Sequence, residues 1–189
     1  MTNLILLGPP GCGKGTQSKI LVEKKNFLQI STGELLRNVV NSDSDIGKEI
    51  SKIMKNGDLV SDEIVVTMIL KEISTHPACS FIFDGFPRNI IQAEKLDEAF
   101  DQQKLKLDLV IFLDVELNIL KNRIENRIRE SNSEQVREDD NVDILLKRIN
   151  TYKEMTFPLL EYYRKQKKLV CVNGMETIDK ISEKIALLI

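Results

Sequence analysis

The chain has 189 residues, of which 42% are hydrophobic and 30% charged, and its formal net charge is −2. This length suits one α/β domain with small insertions and is short for two full domains. The near-neutral charge offers no general attraction to nucleic acid or to an anionic membrane, so neither is expected as a partner. Any phosphate binding must therefore come from a local cluster of basic residues.

Cysteine usage and hydropathy indicate a cytoplasmic protein. Cys12, Cys79 and Cys171 are widely spaced and odd in number, so they form neither a disulfide framework nor a C-x-x-C metal pair. The N-terminal apolar run LILL is too short for a signal peptide, and no later segment approaches a membrane span.

Short apolar runs alternate with helical patterns along the chain. Strands are predicted at 3–7, 27–30, 81–84, 108–114 and 168–173, and helices at 14–25, 33–41, 61–74, 89–100, 116–129, 140–166 and 177–188. The strands are apolar nearly throughout, which is typical of strands covered on both faces. The pattern predicts an α/β fold, with a parallel sheet wrapped by helices.

Two intervals do not fit this alternation. Residues 31–60 are mostly helical and polar and lie between two predicted strands, and residues 129–138 are polar with no apolar period. Because insertions near strand ends commonly form ligand sites, both intervals are candidate parts of a binding site.

The stretch LLGPPGCGKGTQ (6–17) follows the first strand and opens the first helix. Its glycines allow a tight turn and a close approach to an anion, the helix N-terminus offers unpaired N–H groups, and Lys14 adds a charge. The general phosphate-loop motif has a hydroxyl directly after the lysine. Here Gly15 takes that place and Thr16 follows one residue later. The alternative is a glycine-rich turn that binds nothing.

The loop GPPGCGKGT, with glycine after the lysine, resembles that of adenylate kinase and related nucleoside monophosphate kinases. The resemblance continues in order through ISTGELLR (30–37), GDLVSDEIV (57–65), FDGFPRNIIQ (83–92), NRIENR (122–127), REDD (137–140), KRINTY (147–152) and VNG (172–174). It implies a five-stranded P-loop fold in one kinase domain, with the core at 1–30, 61–126 and 138–189. It also implies a helical NMP-binding insertion at 31–60 and a short lid at 127–137.

The resemblance further implies which residues bind the nucleotides. On the ATP side they are Gly11, Cys12, Gly13, Lys14, Gly15, Thr16, Arg123, Arg127 and Glu176. On the AMP side they are Thr32, Arg37, Asp58, Leu59, Val60, Gly85, Phe86, Pro87, Arg88, Gln92, Arg137 and Arg148. The implied catalytic set is Lys14, Arg88, Arg123, Arg127, Arg137 and Arg148, and Asp84 would act on Mg²⁺ through water.

Without the resemblance, several of these residues have simpler explanations. Arg37 alone would be a solvated helix residue, and Asp84 could cap the turn that follows its strand. Arg123 and Arg127 lie four residues apart and share one helix face, where they could clamp a polyphosphate or form a solvated surface.

The implied function is that of a transferase: a Mg²⁺-dependent kinase that transfers a phosphoryl group in line, ATP + AMP ⇌ 2 ADP. A UMP/CMP kinase of the same fold is one alternative, but Thr32 and Gln92 favour AMP because an amide suits the N1/N6 edge of adenine. A nucleotide-binding regulatory module is another, although it would not need four arginines. The short lid lacks the four cysteines that bind zinc in some members, so no structural zinc is expected. A monomer is expected.

Overall fold

Five parallel strands form the central sheet. They are β1 (Leu4–Leu7), β2 (Phe27–Ser31), β3 (Ser80–Asp84), β4 (Leu109–Asp114) and β5 (Leu169–Asn173), in the order β2-β3-β1-β4-β5. The structure is a computed structural model that describes residues 2–42, 44–130 and 142–189. The predicted α/β fold with a five-stranded parallel sheet is confirmed, and each predicted strand lies within a residue or two of its observed bounds.

Helices cover both faces of this sheet. They are α1 (Lys14–Lys25), α2 (Thr32–Val40), α3 (Asp45–Asn56), α4 (Asp62–Thr75), α5 (Ile90–Gln102), α6 (Leu120–Glu130), α7 (Val142–Thr151), α8 (Leu159–Lys165) and α9 (Ile178–Ala186). No helix in the described parts of the chain is long and apolar enough to cross a membrane.

Side-chain alternation along the strands builds two apolar layers. In β1, Ile5 and Leu7 pack into the layer on one face of the sheet, and Leu4 and Leu6 pack into the other. All four are at most 3% exposed. A strand that is buried on both faces needs apolar residues at every position, which explains the uninterrupted run LILL.

The predicted helix 140–166 is divided in the structure. α7 ends at Thr151, a π-helical turn spans Tyr152–Thr156, and α8 begins at Leu159. Pro158 has no backbone N–H and cannot continue the α-helical ladder. The N–H of Phe157 instead donates to the carbonyl of Tyr152 at 2.8 Å, which closes the wider turn.

The interval 31–60 contains the helical pair α2 and α3. The hydroxyls of Ser31 and Ser44 cap the two N-termini by accepting from the backbone N–H groups of Glu34 and Gly47. α3 ends at Gly57, whose φ of +78° is the left-handed conformation that glycine adopts without strain.

Candidate active site

One large cleft, of about 890 Å³, opens at the carboxyl edge of the sheet. Open parallel sheets bind ligands at this edge. Seventeen predicted site residues line the cleft: Gly11, Cys12, Gly13, Lys14, Gly15, Thr16, Arg37, Asp58, Leu59, Val60, Asp84, Gly85, Pro87, Arg88, Arg123, Arg148 and Glu176. Sequence motifs that are far apart in the chain therefore share one cavity.

The glycine-rich loop joins β1 to the N-terminus of α1. Gly11 and Gly13 have φ values of +80° and +106°, which a residue with a side chain rarely adopts. A Cβ atom built on Gly13 would meet nothing within 4 Å. The first turn of α1 thus has unpaired N–H groups beside open space, an arrangement that suits an anion.

The ammonium of Lys14 lies over this loop. Its Nζ donates to the carbonyls of Gly8 and Pro9 at 2.7 and 3.1 Å and lies 3.6 Å from Cys12 Sγ. These partners keep the positive charge at the mouth of the loop. Cys12 itself is 1% exposed, so its thiol belongs to the packing beneath the loop.

Asp84 lies at the end of β3, next to the position where the usual loop carries its hydroxyl. A Cβ atom on Gly15 would lie 3.5 Å from Asp84 Oδ2, so glycine leaves the space beside this carboxylate open. Gln29 Nε2 donates to the same oxygen at 3.2 Å. Gln29 was not predicted from the sequence, where its signal is a polar residue inside the apolar run FLQI.

The chemistry of these donors fits Mg²⁺. One half-buried carboxylate beside a phosphate loop is the protein contribution that Mg²⁺ usually receives, with water and substrate phosphates as its other ligands. Among the residues that the structure describes, no group of three or more His, Cys, Asp or Glu side chains is arranged to hold a metal by itself.

Arg88 lies on the other side of the cleft and is held by its own turn. Its Nε donates to the carbonyl of Gly85 at 2.8 Å, and its Nη2 lies 3.5 Å from Thr32 Oγ1. The Thr32 hydroxyl donates to the same Gly85 carbonyl at 2.8 Å. Thr156 Oγ1, in the π-helical turn that follows α7, donates to the carbonyl of Arg88 at 2.7 Å.

Arg37 extends from α2 into the cleft from the side of the interval 31–60. Its guanidinium packs over Gly33, where a Cβ atom would lie 3.2 Å from Nη1. Glycine at this position therefore gives the guanidinium room to lie along its own helix. Arg37 and Arg88 both line the cleft on the side of the predicted acceptor.

Thr32 and Gln92 do not line the large cleft. They border a second cavity of about 10 Å³, whose walls also include Leu36, Val60 and Val65. Gln92 is 1% exposed, and Asp62, another residue that the sequence analysis missed, accepts a hydrogen bond from its amide. Phe86 is also 1% exposed, and its ring packs against Phe83 in the core.

Arg123 ties the loop to the end of β5. Its Nη1 donates to the carbonyl of Cys12 at 3.1 Å and its Nη2 to the carbonyl of Gly174 at 2.8 Å. Nearby, Glu176 forms an ion pair with Lys184 at 2.7 Å. The side chain of Arg127, all of Arg137 and most of the predicted lid lie outside the described residues.

Tyr152 borders the cleft from the π-helical turn. Burial raises the pKa of its hydroxyl far above the ordinary value, and the nearby Cys12 and Asp114 raise it further. The hydroxyl therefore stays neutral in the folded protein, and its oxygen is buried without a hydrogen-bond partner among the described residues.

A glycine-rich loop at the N-terminus of α1, on a parallel sheet, defines a P-loop nucleotide-binding protein. The family model for adenylate kinase matches residues 6–168. The adenylate kinase of Parvibaculum lavamentivorans is 45% identical over 96% of this chain and 89% of its own length. The adenylate kinase of Hyphomonas neptunium is 45% identical over 97% of this chain and 95% of its own length. That of Brucella ovis is 44% identical over 96% of this chain and 95% of its own length. The chain belongs to the adenylate kinase family, as the resemblance predicted.

Proposed function

We propose that the protein is an adenylate kinase that catalyses the reversible reaction ATP + AMP ⇌ 2 ADP by direct in-line transfer. The observation that carries this proposal is that Lys14 and its loop share one cleft with Arg37 and Arg88. The relatives named adenylate kinase, which match nearly the whole chain, support the same activity.

On the donor side, the loop and Lys14 hold the ATP phosphates. The backbone N–H groups of the first turn of α1 donate to phosphate oxygens, and the helix dipole favours their negative charge. The Lys14 ammonium already lies at the loop, 2.7 Å from the Gly8 carbonyl, so little reorganisation is needed to reach a phosphate.

On the acceptor side, Arg88 and Arg37 bind the AMP phosphate. A guanidinium presents two parallel N–H groups that match a phosphate. The bond from Arg88 Nε to the Gly85 carbonyl fixes the direction of that fork before the ligand arrives. Such positioning places the acceptor oxygen in line with the transferred group.

Asp84 is the residue that would hold Mg²⁺ through water, with Gln29 orienting its carboxylate. When bound, the ion neutralises charge on the ATP phosphates. Lys14 and the arginines stabilise the charge that develops on the transferred phosphoryl group. We assign this role to Arg123, Arg127, Arg137 and Arg148, of which Arg123 and Arg148 line the described cleft.

Water must be excluded, because an open site would hydrolyse ATP. We assign residues 31–60 to the NMP-binding insertion, with the core at 1–30, 61–126 and 138–189 and the lid at 127–137. A contact supports this role for the insertion: a Cβ atom on Gly57 would lie 3.3 Å from Lys147 Cβ of α7. The insertion thus reaches across to the core.

A coupled assay with Mg-ATP and each of AMP, CMP, UMP and GMP tests this function. We expect rapid turnover with AMP, dependent on Mg²⁺, and its loss in Lys14→Met. Preference for CMP or UMP would retain the mechanism but reassign the acceptor. Binding of ATP without transfer to any acceptor would make the protein a regulatory module.

We further propose that the enzyme acts as a cytoplasmic monomer. Its three cysteines are free, which fits a reducing compartment. Both nucleotide pockets are built from one chain, so a second copy is not needed to complete the site. Light scattering on the purified protein, with and without nucleotides, tests the oligomeric state.

A further inference from the structure

A polar network lies where the N-termini of α4 and α5 meet. Asp62 Oδ1 accepts from Gln92 Nε2 at 2.7 Å and from Asn89 Nδ2 at 2.9 Å. Gln92 Oε1 accepts from the backbone N–H of Arg88 at 2.8 Å. Asn89 Oδ1 caps α5 by accepting from the backbone N–H of Gln92, also at 2.8 Å.

The chemistry of the partners permits one orientation of the Gln92 amide. A backbone N–H can only donate, so the Gln92 atom that faces Arg88 must be the oxygen. A carboxylate can only accept, so the atom that faces Asp62 must be the NH₂ group. Reversing the amide would lose both bonds and would place oxygen against oxygen and N–H against N–H.

The fixed amide retains one free donor and one free acceptor. Nε2 has a second N–H, and Oε1 has a second lone pair. An adenine edge, with its N6 amino donor and N1 acceptor, pairs with an amide in one orientation. A 6-oxo purine, with an O6 acceptor and an N1–H donor, needs the reverse orientation.

Burial makes the network stiff. Gln92 and Asn89 are 1% and 6% exposed, and the adjoining small cavity has the apolar walls Leu36, Val60 and Val65. Asp62 itself is half-buried, but water has little access to the Gln92 amide, so a partner that this amide loses is not readily replaced and an unpaired polar group there is costly.

We propose that Asp62 is a positioning residue that sets the specificity for the base of the acceptor nucleotide. By fixing the Gln92 amide, it favours a 6-amino purine monophosphate over a 6-oxo purine monophosphate. This inference rests on the proposed function, and it assigns a role to a residue that does not contact the transferred group.

The experiment measures kcat/KM for AMP and for IMP in three variants and the parent protein. Asp62→Leu removes the acceptor while keeping a similar size, and we expect the AMP/IMP ratio to fall about tenfold, the effect of losing one charge-assisted hydrogen bond. Asp62→Asn keeps an acceptor oxygen and should hold the ratio within about twofold of the parent value. Glu63→Leu makes the same change one position further, at an exposed site, and should leave both rates unchanged.

The outcomes separate the two proposals. If the parent protein does not phosphorylate AMP, the proposed function fails and this inference fails with it. If the parent prefers AMP and Asp62→Leu keeps the full ratio, or loses activity equally with both acceptors, only the positioning role is wrong. Should Asp62→Leu fail to fold, Asp62→Ala removes the same acceptor with a smaller side chain and is read in the same way.

Discussion

Arg88 is half-buried, its backbone is hydrogen-bonded to Gln92 and Thr156, and the residue lines the cleft. The carbonyl of Gly85 and the hydroxyl of Thr32 lie 2.8 and 3.5 Å from its nitrogens and fix the plane of the fork. Lysine would keep the charge but lose this geometry, because an ammonium is a point charge on a flexible stem. The shape of the group therefore matters here as well as its charge.

We expect Arg88→Lys to lower kcat/KM for AMP roughly a hundredfold, a loss of about 2.7 kcal/mol of transition-state stabilisation, because the bidentate contact is lost. The KM for ATP should change little, because the loop proposed to hold the donor phosphates lies across the cleft from Arg88. Steady-state kinetics with each nucleotide varied in turn measures both effects. Arg164→Lys, at an exposed ion pair with Glu161, is the control. A fall in kcat/KM for AMP of less than threefold would contradict the assignment of Arg88 to the AMP phosphate.

Tyr163 shows how burial acts on a single hydroxyl. Its side chain is 0% exposed, and its hydroxyl has no hydrogen-bond partner among the described residues. Burial raises the pKa of Tyr163 far above the ordinary value of 10, with smaller contributions from Asp97 and Tyr162. The unfolded chain therefore loses this proton near pH 10 while the folded chain keeps it, so stability falls as the pH rises above 10.

Tyr163→Phe should change the free energy of unfolding at pH 7 by less than about 1 kcal/mol, since no hydrogen bond is lost. The difference in the free energy of unfolding, variant minus parent, should be about 1.4 kcal/mol larger at pH 11 than at pH 7. Urea unfolding at both pH values gives the comparison. Tyr162→Phe provides a contrast at pH 7, because its hydroxyl donates to Asp97 at 2.7 Å and its loss should destabilise. Equal pH profiles for parent and Tyr163→Phe would refute the account.

At the scale of elements, the strands were predictable and the interruption of the long helix was not. A strand buried on both faces leaves a continuous apolar run, as β1 does, and all five strands begin and end close to the predicted runs. The helical period continues past Tyr152, so periodicity alone did not reveal the π-helical turn before Pro158. A proline indicates a break, but only the packed structure determines where the hydrogen bonds shift.

The residues that share the cleft were predictable in part, and their roles stay predictions. Motifs singled out the loop, Asp84 and Arg88, because each has a distinctive residue pattern next to a strand end, and the structure places all three along one cleft. Asp62 and Gln29 were missed since their roles depend on partners 30 and 55 residues away in the chain. A polar residue inside an apolar run, as Gln29 in FLQI, indicates a polar partner, but that partner is identified only when the topology brings the two residues together.

The packing of α2 against α3 gives a prediction that opposes helix propensity. Alanine is preferred to glycine inside a helix by about 1 kcal/mol, so Gly47→Ala would stabilise α3 in isolation. A Cβ atom at Gly47 would, however, lie 2.5 Å from the carbonyl oxygen of Val39 at the end of α2. Backbone cannot yield as a flexible side chain can, so the two helices must separate.

We therefore expect Gly47→Ala to destabilise the protein by about 2 kcal/mol, within the range measured for overpacked cores. Urea unfolding measures the loss, and the KM for AMP should rise because Arg37 lies on α2. Glu49→Ala, exposed on the same helix, should have little effect. A more stable Gly47→Ala protein would show that α2 and α3 are less tightly packed than this contact indicates.

At the scale of the whole molecule, the two proposed nucleotide sites are built from different parts of the chain. The loop that would hold ATP is fixed between β1 and α1, in the centre of the sheet. The pocket proposed for AMP lies between the core and the interval 31–60, in which Gly57 lies close to Lys147 of α7. Each nucleotide should therefore stabilise a different part of the chain.

Hydrogen exchange followed by mass spectrometry tests this division. AMP at about 100 times its Kd stabilises the bound form by about 2.7 kcal/mol. Where exchange depends on the opening of residues 31–60, AMP should therefore slow it by about a hundredfold. ATP alone should slow exchange in the loop and first turn of α1, and any slowing in peptides from 127–137 would support the predicted lid. Peptides from α8 and β5 are the internal control. If AMP slowed all peptides alike, or left 31–60 unchanged, residues 31–60 would not form a separate unit that AMP stabilises.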